Sequence, residues 1–295
     1  MAIVLFAVLI ALLVGHSLPD LARLRAYHWF EHWLAWCHRQ GALLAGGRAA
    51  LVLALILPLL PLAALQWLLR GEWFGLPSFA LATLFLLYSL GPRDLDQDVD
   101  AVALAVAGEN RSESLQQLPE EPPNPPLPVN AEVMVDQVML AALARWFGVV
   151  FWFVVLGATG ALAFRLLCLA CGSARFRQYL SADQIDTART LRGLAEWPAA
   201  QLMTLALALA ADFDAVASAW RDFHGNHALG WFSMQPGYLT AAARASVDLD
   251  ADGESGSDAE HAAVNAMQQA MSLVWRMLVV WLAALSLLVL AGKIG

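Results

Sequence analysis

Several short stretches of this chain carry residue types that could do chemistry. His28-Trp-Phe-Glu-His32 matches H-x-x-E-H, a zinc-protease pattern in which two histidines on one helix face bind metal and the glutamate is the base. A third ligand from a separate element is required and none is identifiable. The stretch is also rich in tryptophan, so the histidines read better as lipid-headgroup contacts. Asp248-Leu-Asp-Ala-Asp-Gly253 copies the first half of an EF-hand loop, but position 12 is Ala259 rather than a glutamate, which favours a solvated acidic linker. Cys168-Leu-Ala-Cys171 is a CxxC without a thioredoxin-like context, more simply two small apolar residues one helical turn apart. No metal site is expected from these motifs, and they leave the cofactor unknown.

Two positions stand out more. Trp220-Arg-Asp-Phe-His-Gly-Asn-His227 packs Asp222, His224 and His227 into a region otherwise rich in alanine and leucine. A carboxylate beside a histidine can support acid–base work or ligand binding, although a helix C-terminus followed by Gly225 attracts the same residue types. Arg165 lies between Phe164 and Leu166 inside an apolar tract, where a charge is costly and faces a partner or a cavity.

The elements that must hold these residues are apolar and long. The chain is 60% hydrophobic and 14% charged, against about 25% charged in ordinary soluble proteins. Ala49–Leu69, Phe74–Leu90, Trp146–Phe164 and Met277–Gly292 carry no charged residue. A bilayer core needs roughly 20 apolar residues as a helix, and fewer if flanking residues snorkel. These four tracts read as spans. Ala2–Val14 and Pro198–Ala211 are shorter and raise the possible number to six. The first lacks a basic n-region and a small-x-small cleavage site, so it reads as a retained anchor.

Between the tracts lie polar segments. Pro19–Gln40 alternates aromatic and basic residues at helical spacing, with Asp20 at the N-cap position, and reads as an interfacial amphipathic helix. Pro58 and Pro61 predict a kink in the second tract. The short link 70–75 makes 48–90 a helical hairpin. Asp98 or Asp100 is expected to open a helix over Val99–Ala107, and the carboxylates of Asp94–Asp100 suit its N-terminal dipole. The run Pro119–Pro128 is a polyproline-type linker, and Asn130 can cap a helix entering the next span. Arginine placement puts 23–48, Arg93 and the segment 94–145 on the cytoplasmic side. Arg175–Arg192 votes for the same side, so either Trp146–Phe164 is a broken hairpin, or Pro198–Ala211 also crosses, or the charge rule fails here.

Other classes are excluded. Lys293 is the only lysine, so neither a P-loop nor a kinase or internal Schiff-base lysine exists. The net charge is −8 and no basic stripe occurs, which argues against nucleic acid.

Several segments together resemble the AmpE family of bacterial inner-membrane proteins. They are Val150-Phe-Trp-Phe153, Gly157-Ala-Thr-Gly-Ala161, Phe164-Arg-Leu166, Glu196-Trp-Pro198, and Ala219-Trp220 through Asp222-Phe-His224. The resemblance implies signalling linked to cell-wall recycling and β-lactamase induction, often beside a cytoplasmic muropeptide amidase. The family is distantly related to adenosylcobinamide-phosphate synthase (CobD/CbiB), so a diverged membrane-bound synthase is the alternative. Its Arg-Asp-Thr motif does not occur here.

The expected protein is therefore all-α, a polytopic integral membrane protein with four to six membrane-embedded helices and cytoplasmic amphipathic helices. Its segments are an anchor and interfacial helix (1–47), a hairpin (48–90), a polar segment (91–145), a membrane helix or broken hairpin (146–212), an acidic segment (213–272) and a terminal span (273–295). Arg93, Arg165, Asp222, His224 and His227 are the expected ligand-binding residues. The lipid bilayer is the expected partner, with the amidase as a second.

Overall fold

In a computed structural model, the described residues are 2–17, 25–41, 47–69, 76–91, 93–105, 109–120, 123, 125–226, 234–247, 249 and 257–292. In chain order the helices are α1 (Ala2–Ser17), α2 (His28–Arg39), α3 (Gly47–Leu68), α4 (Leu76–Ser89), α5 (Leu95–Leu104) and α6 (Glu109–Leu115). There follow α7 (Ala131–Leu156), α8 (Ala158–Gly172), a short helical turn (Ala174–Arg177), α9 (Ala182–Ala210), α10 (Phe213–Asn226), α11 (Gly237–Arg244) and α12 (Ser257–Leu290). No strand occurs among the described residues. The all-α expectation holds.

Three helices are long and apolar enough to cross a membrane: α3, α7 and Asp258–Leu290 of α12. Only 22% and 28% of the apolar windows of α3 and α12 are buried by protein, against 72% for α7. The outward side chains of α3 and α12, such as Leu53, Leu60, Trp67, Val279 and Leu287, are exposed apolar groups suited to lipid contact. The tract 74–90 supplies a helix of only 14 residues, and Val4–Gly15 and Ala158–Gly172 are likewise shorter than a span.

Two compact units share the chain. The first comprises Met1–Pro92, Gly148–Ala195 and Leu288–Gly295; the second comprises Arg93–Phe147 and Glu196–Leu287. In the first unit α8 packs against both α3 and α4, and α1 packs against α4. α2 buries Phe30, Leu34 and Cys37 against Leu51 and Leu55 of α3 and Leu162, Leu166 and Leu169 of α8. Its apolar positions recur at three- and four-residue steps, which gives one buried face. Of the expected amphipathic stretch Pro19–Gln40, a helix with one buried face is found over His28–Arg39, while Asp20 lies outside the described residues.

Pro58 lacks the N–H that an α-helix needs, and α3 tightens into a 3-10 turn over Leu57–Leu59 before resuming at Leu60. The tract Trp146–Phe164 is not one crossing. It breaks at Gly157, whose φ of 72° is a left-handed conformation open to glycine. The segment Gly148–Leu156 then reverses into α8, and the two pack side by side. A Cβ on Gly160 would stand 2.3 Å from the carbonyl oxygen of Trp152, so glycine permits the close approach.

The break exposes helix-end groups in an apolar setting, and one side chain serves both ends. Gln66, the polar residue of the α3 tract, donates from Nε2 to the Leu156 carbonyl (3.1 Å). Its Oε1 accepts from the Thr159 amide and the Thr159 hydroxyl, both at 3.1 Å. A Cβ at residue 157 would lie 2.4 Å from Gln66 Nε2.

In the second unit α11 packs against α10 and against the N-terminal part of α7, and α5 packs against α6 and α7. Asn130 caps α7 as expected, its Oδ1 accepting from the Val133 amide at 2.8 Å. α5 begins at Leu95, four residues before the expected start, so Asp98 lies within the helix rather than at its cap. The Arg244 side chain forks onto Asp136 and Glu132 and ties α11 to α7.

Gln66→Leu keeps the volume and removes the clasp; it is expected to destabilise the detergent-solubilised protein by about 1–2 kcal/mol. Gly157→Ala should cost more, because it adds backbone strain and a clash with Gln66. Thermal unfolding of both variants checks the order, and an unchanged transition for both would contradict the clasp.

Candidate functional site

The second unit holds two polar clusters. The first is built on an irregularity in α7. Residues Leu143–Phe147 form a π-helical turn, all five of them buried, which inserts an extra residue and re-aims Arg145. Its guanidinium donates to Asp98 Oδ2 at 2.6 Å and to the Leu118 carbonyl at 2.6 Å. Both members of the pair are nearly excluded from solvent, with side-chain exposures of 3% and 9%. Arg93 flanks the pair at 3.9 Å from Asp98 and donates to Gln117 Oε1 at 2.6 Å. Nearby, Trp275 of α12 donates its indole N–H to Asp96 at 2.9 Å and packs edge-on against Trp146. A buried arginine within a span-length helix is costly, and here a carboxylate and backbone carbonyls offset the cost.

The second cluster gathers around Tyr238 at the start of α11. Trp220, Phe223 and His224 present successive faces of α10, and the His224 ring lies 4.6 Å from the Trp220 ring and 5.3 Å from that of Tyr238. His224 is buried, and its Nδ1 is paired with the Trp220 carbonyl at 2.8 Å. The Tyr238 hydroxyl donates to the Trp197 carbonyl at 3.3 Å. Burial, reinforced by the Glu196 carboxylate, pushes the Tyr238 phenol well above its ordinary pKa. It stays protonated at any physiological pH and is a donor rather than a base. An open groove of about 410 Å³ adjoins this cluster, with Trp220 and Gln201 in its wall beside Leu205 and Phe213.

The sequence-derived candidates distribute as follows. Arg93 joins the Arg145–Asp98 centre and His224 joins the Tyr238 cluster, both in the second unit. Asp222 is exposed on α10, and His227 lies outside the described residues. Arg165 belongs to the first unit. It is fully buried, and its Nε donates to the Ser89 carbonyl at 2.8 Å. Tyr27 donates to the neighbouring Tyr88 carbonyl at 2.6 Å and Arg25 to that of Gly91 at 2.6 Å. The expected partner or cavity of Arg165 is therefore the C-terminal end of α4, where carbonyls lack intrahelical donors and the dipole favours cations.

Arg145 was missed because it sits at the edge of a polar segment, and Asp98 because it fitted a helix start. Tyr238 carried no signal beyond the Gly-Tyr that opens a helix. The H-x-x-E-H pair meets an arginine. Arg175 donates to Glu31 Oε2 from Nε at 2.6 Å and also contacts His28. Cys168 and Cys171 are buried in α8 and form no disulfide. Among the described residues no group of three or more His, Cys, Asp or Glu side chains could hold a metal ion.

Comparison of the chain with models of known protein families, with curated proteins and with solved structures finds no match.

Removing one member of the buried pair should be severe. Asp98→Asn and Arg145→Met are each expected to cost about 3–5 kcal/mol, because a charge or several carbonyls remain buried without a partner. The double substitution should cost less than the sum. Additive losses in a double-mutant cycle would show that the two groups do not interact.

The Glu31 contact gives a pH prediction. Hydrogen bonding to Arg175 holds the Glu31 carboxyl below the usual range. The contact is thus complete above the unfolded pKa of about 4.3 and is lost only as pH falls through the lower folded value. A carboxyl titration by NMR should place the Glu31 midpoint below that of an ordinary glutamate; a midpoint at or above it contradicts the pairing.

Proposed function

We propose that this chain is a membrane-bound regulatory protein of the AmpE type, resident in the bacterial inner membrane. In this reading it acts by binding a ligand or partner, in signalling linked to cell-wall recycling and β-lactamase induction. The observation that carries the reading is the meeting of two resemblance-bearing segments. Glu196-Trp-Pro198 lies on α9 and Trp220–His224 on α10, and both contribute to the cluster around Tyr238.

The chemistry of the cluster favours recognition over turnover. Tyr238 and His224 are buried and each is held by a backbone carbonyl, and the adjoining groove is mainly apolar with Gln201, Thr204 and Trp220 in its lining. A few placed polar groups beside an apolar groove are the composition of a binding site. A cytoplasmic muropeptide amidase is the partner that the resemblance suggests.

The test is genetic. In a bacterium with inducible β-lactamase, deletion of the gene and the substitution His224→Ala should both alter β-lactamase induction and muropeptide pools. Deletion that leaves both unchanged sinks the reading. A phenotype on deletion with none for His224→Ala, at equal protein level, sinks the assignment to this cluster.

A further inference from the structure

The first unit has an apolar groove of about 500 Å³ that none of the preceding reading uses. Leu84 and Phe85 of α4 and Leu162 of α8 form its walls, and Tyr88, Trp29 and Arg25 stand at the end where α4 stops. Trp29 donates its indole N–H to the Tyr88 hydroxyl at 2.8 Å, and that hydroxyl donates to the Ala26 carbonyl at 3.2 Å. This fixes two amphipathic aromatic rings at one level. Leu84 lies one helical turn, about 6 Å, away along α4.

We propose that this groove holds one phospholipid with an anionic headgroup. Its acyl chain would lie along Leu84, Phe85 and Leu162, and its phosphate at the Arg25 end. Three observations specify the occupant. Leu84 in the groove wall is itself an exposed apolar side chain, and α3 of the same unit also exposes lipid-compatible side chains. The paired Trp29 and Tyr88 mark the depth at which headgroups meet acyl chains, since indole and phenol rings favour that zone. The charged lining residue is an arginine, which complements a phosphate and disfavours a cationic ligand. Arg25 is oriented by its bond to the Gly91 carbonyl, so the guanidinium is positioned before any lipid arrives.

The experiment is lipid retention by the full-length protein in detergent, read by native mass spectrometry with added phosphatidylglycerol or phosphatidylcholine. One phosphatidylglycerol per chain is expected, retained about five-fold more strongly than phosphatidylcholine. Leu84→Trp fills the groove from an exposed position and should abolish retention while leaving thermal unfolding in lipid-free detergent unchanged. Arg25→Gln should equalise the two lipids. Should Arg25→Gln fail to fold, Leu84→Trp still decides. Equal retention of both lipids by the unaltered protein, or full phosphatidylglycerol retention by folded Leu84→Trp, overturns the proposal. The cell-wall reading is independent of either result.

Discussion

A helix that ends away from water leaves backbone N–H and C=O groups with no partner, and each such group costs far more there than at an aqueous surface. Several of the polar side chains in the first unit are explained by the need to serve such backbone groups. Gln66 serves both ends of the break at Gly157. Arg25, Tyr27 and Arg165 converge on the carbonyls at the end of α4. Trp33 reaches the Ala54 carbonyl just before the 3-10 turn of α3, and Trp152 reaches the Ala195 carbonyl on α9. Scattered polar residues in apolar tracts are thus assigned to particular backbone positions. Removing one would free a particular backbone group.

The second unit applies the same logic to charge. Arg145 answers Asp98 and also the Leu118 carbonyl, so one guanidinium joins α7, α5 and the segment after α6. Arg111 behaves alike, donating to Glu260 at 2.8 Å and to the Ala105 carbonyl at 2.9 Å. A guanidinium carries five donors in a fixed fork, whereas an ammonium is a point charge that demands water. A chain with a single lysine and many arginines is chemically suited to such buried, multi-partner roles.

Function is drawn from what lies beyond this structural use. In the second unit, Tyr238 and His224 sit among aromatic rings next to an open groove. The Tyr238 hydroxyl is fully buried and donates to the Trp197 carbonyl, so Trp220 and Gln201 in the groove wall are the groups placed to meet a ligand. In the first unit, the groove below Trp29 and Tyr88 has the composition of a lipid contact. One feature concerns a ligand or partner in the cell-wall reading, and the other concerns the bilayer itself.

The sequence by itself determined the class of the protein. Helical content, the apolar tracts, the irregular turn at Pro58, the cap at Asn130 and the buried face of α2 follow from residue type and spacing, because they are local. The resemblance-bearing motifs also put His224 in view. Tertiary structure decided the rest. Hydropathy gives length but not direction, so Trp146–Phe164 reads as either a span or a broken hairpin, and Gly157 with Gln66 turns it back. The role of Arg165 depended on Ser89, which is 76 residues away. Asp98 looked like a helix start because the sequence does not reveal that Arg145 is turned toward it, 47 residues away, by one π-helical turn. Local pattern fixes which helices form. The partner of a buried polar group is set by packing between distant segments, and spacing along the chain does not encode it.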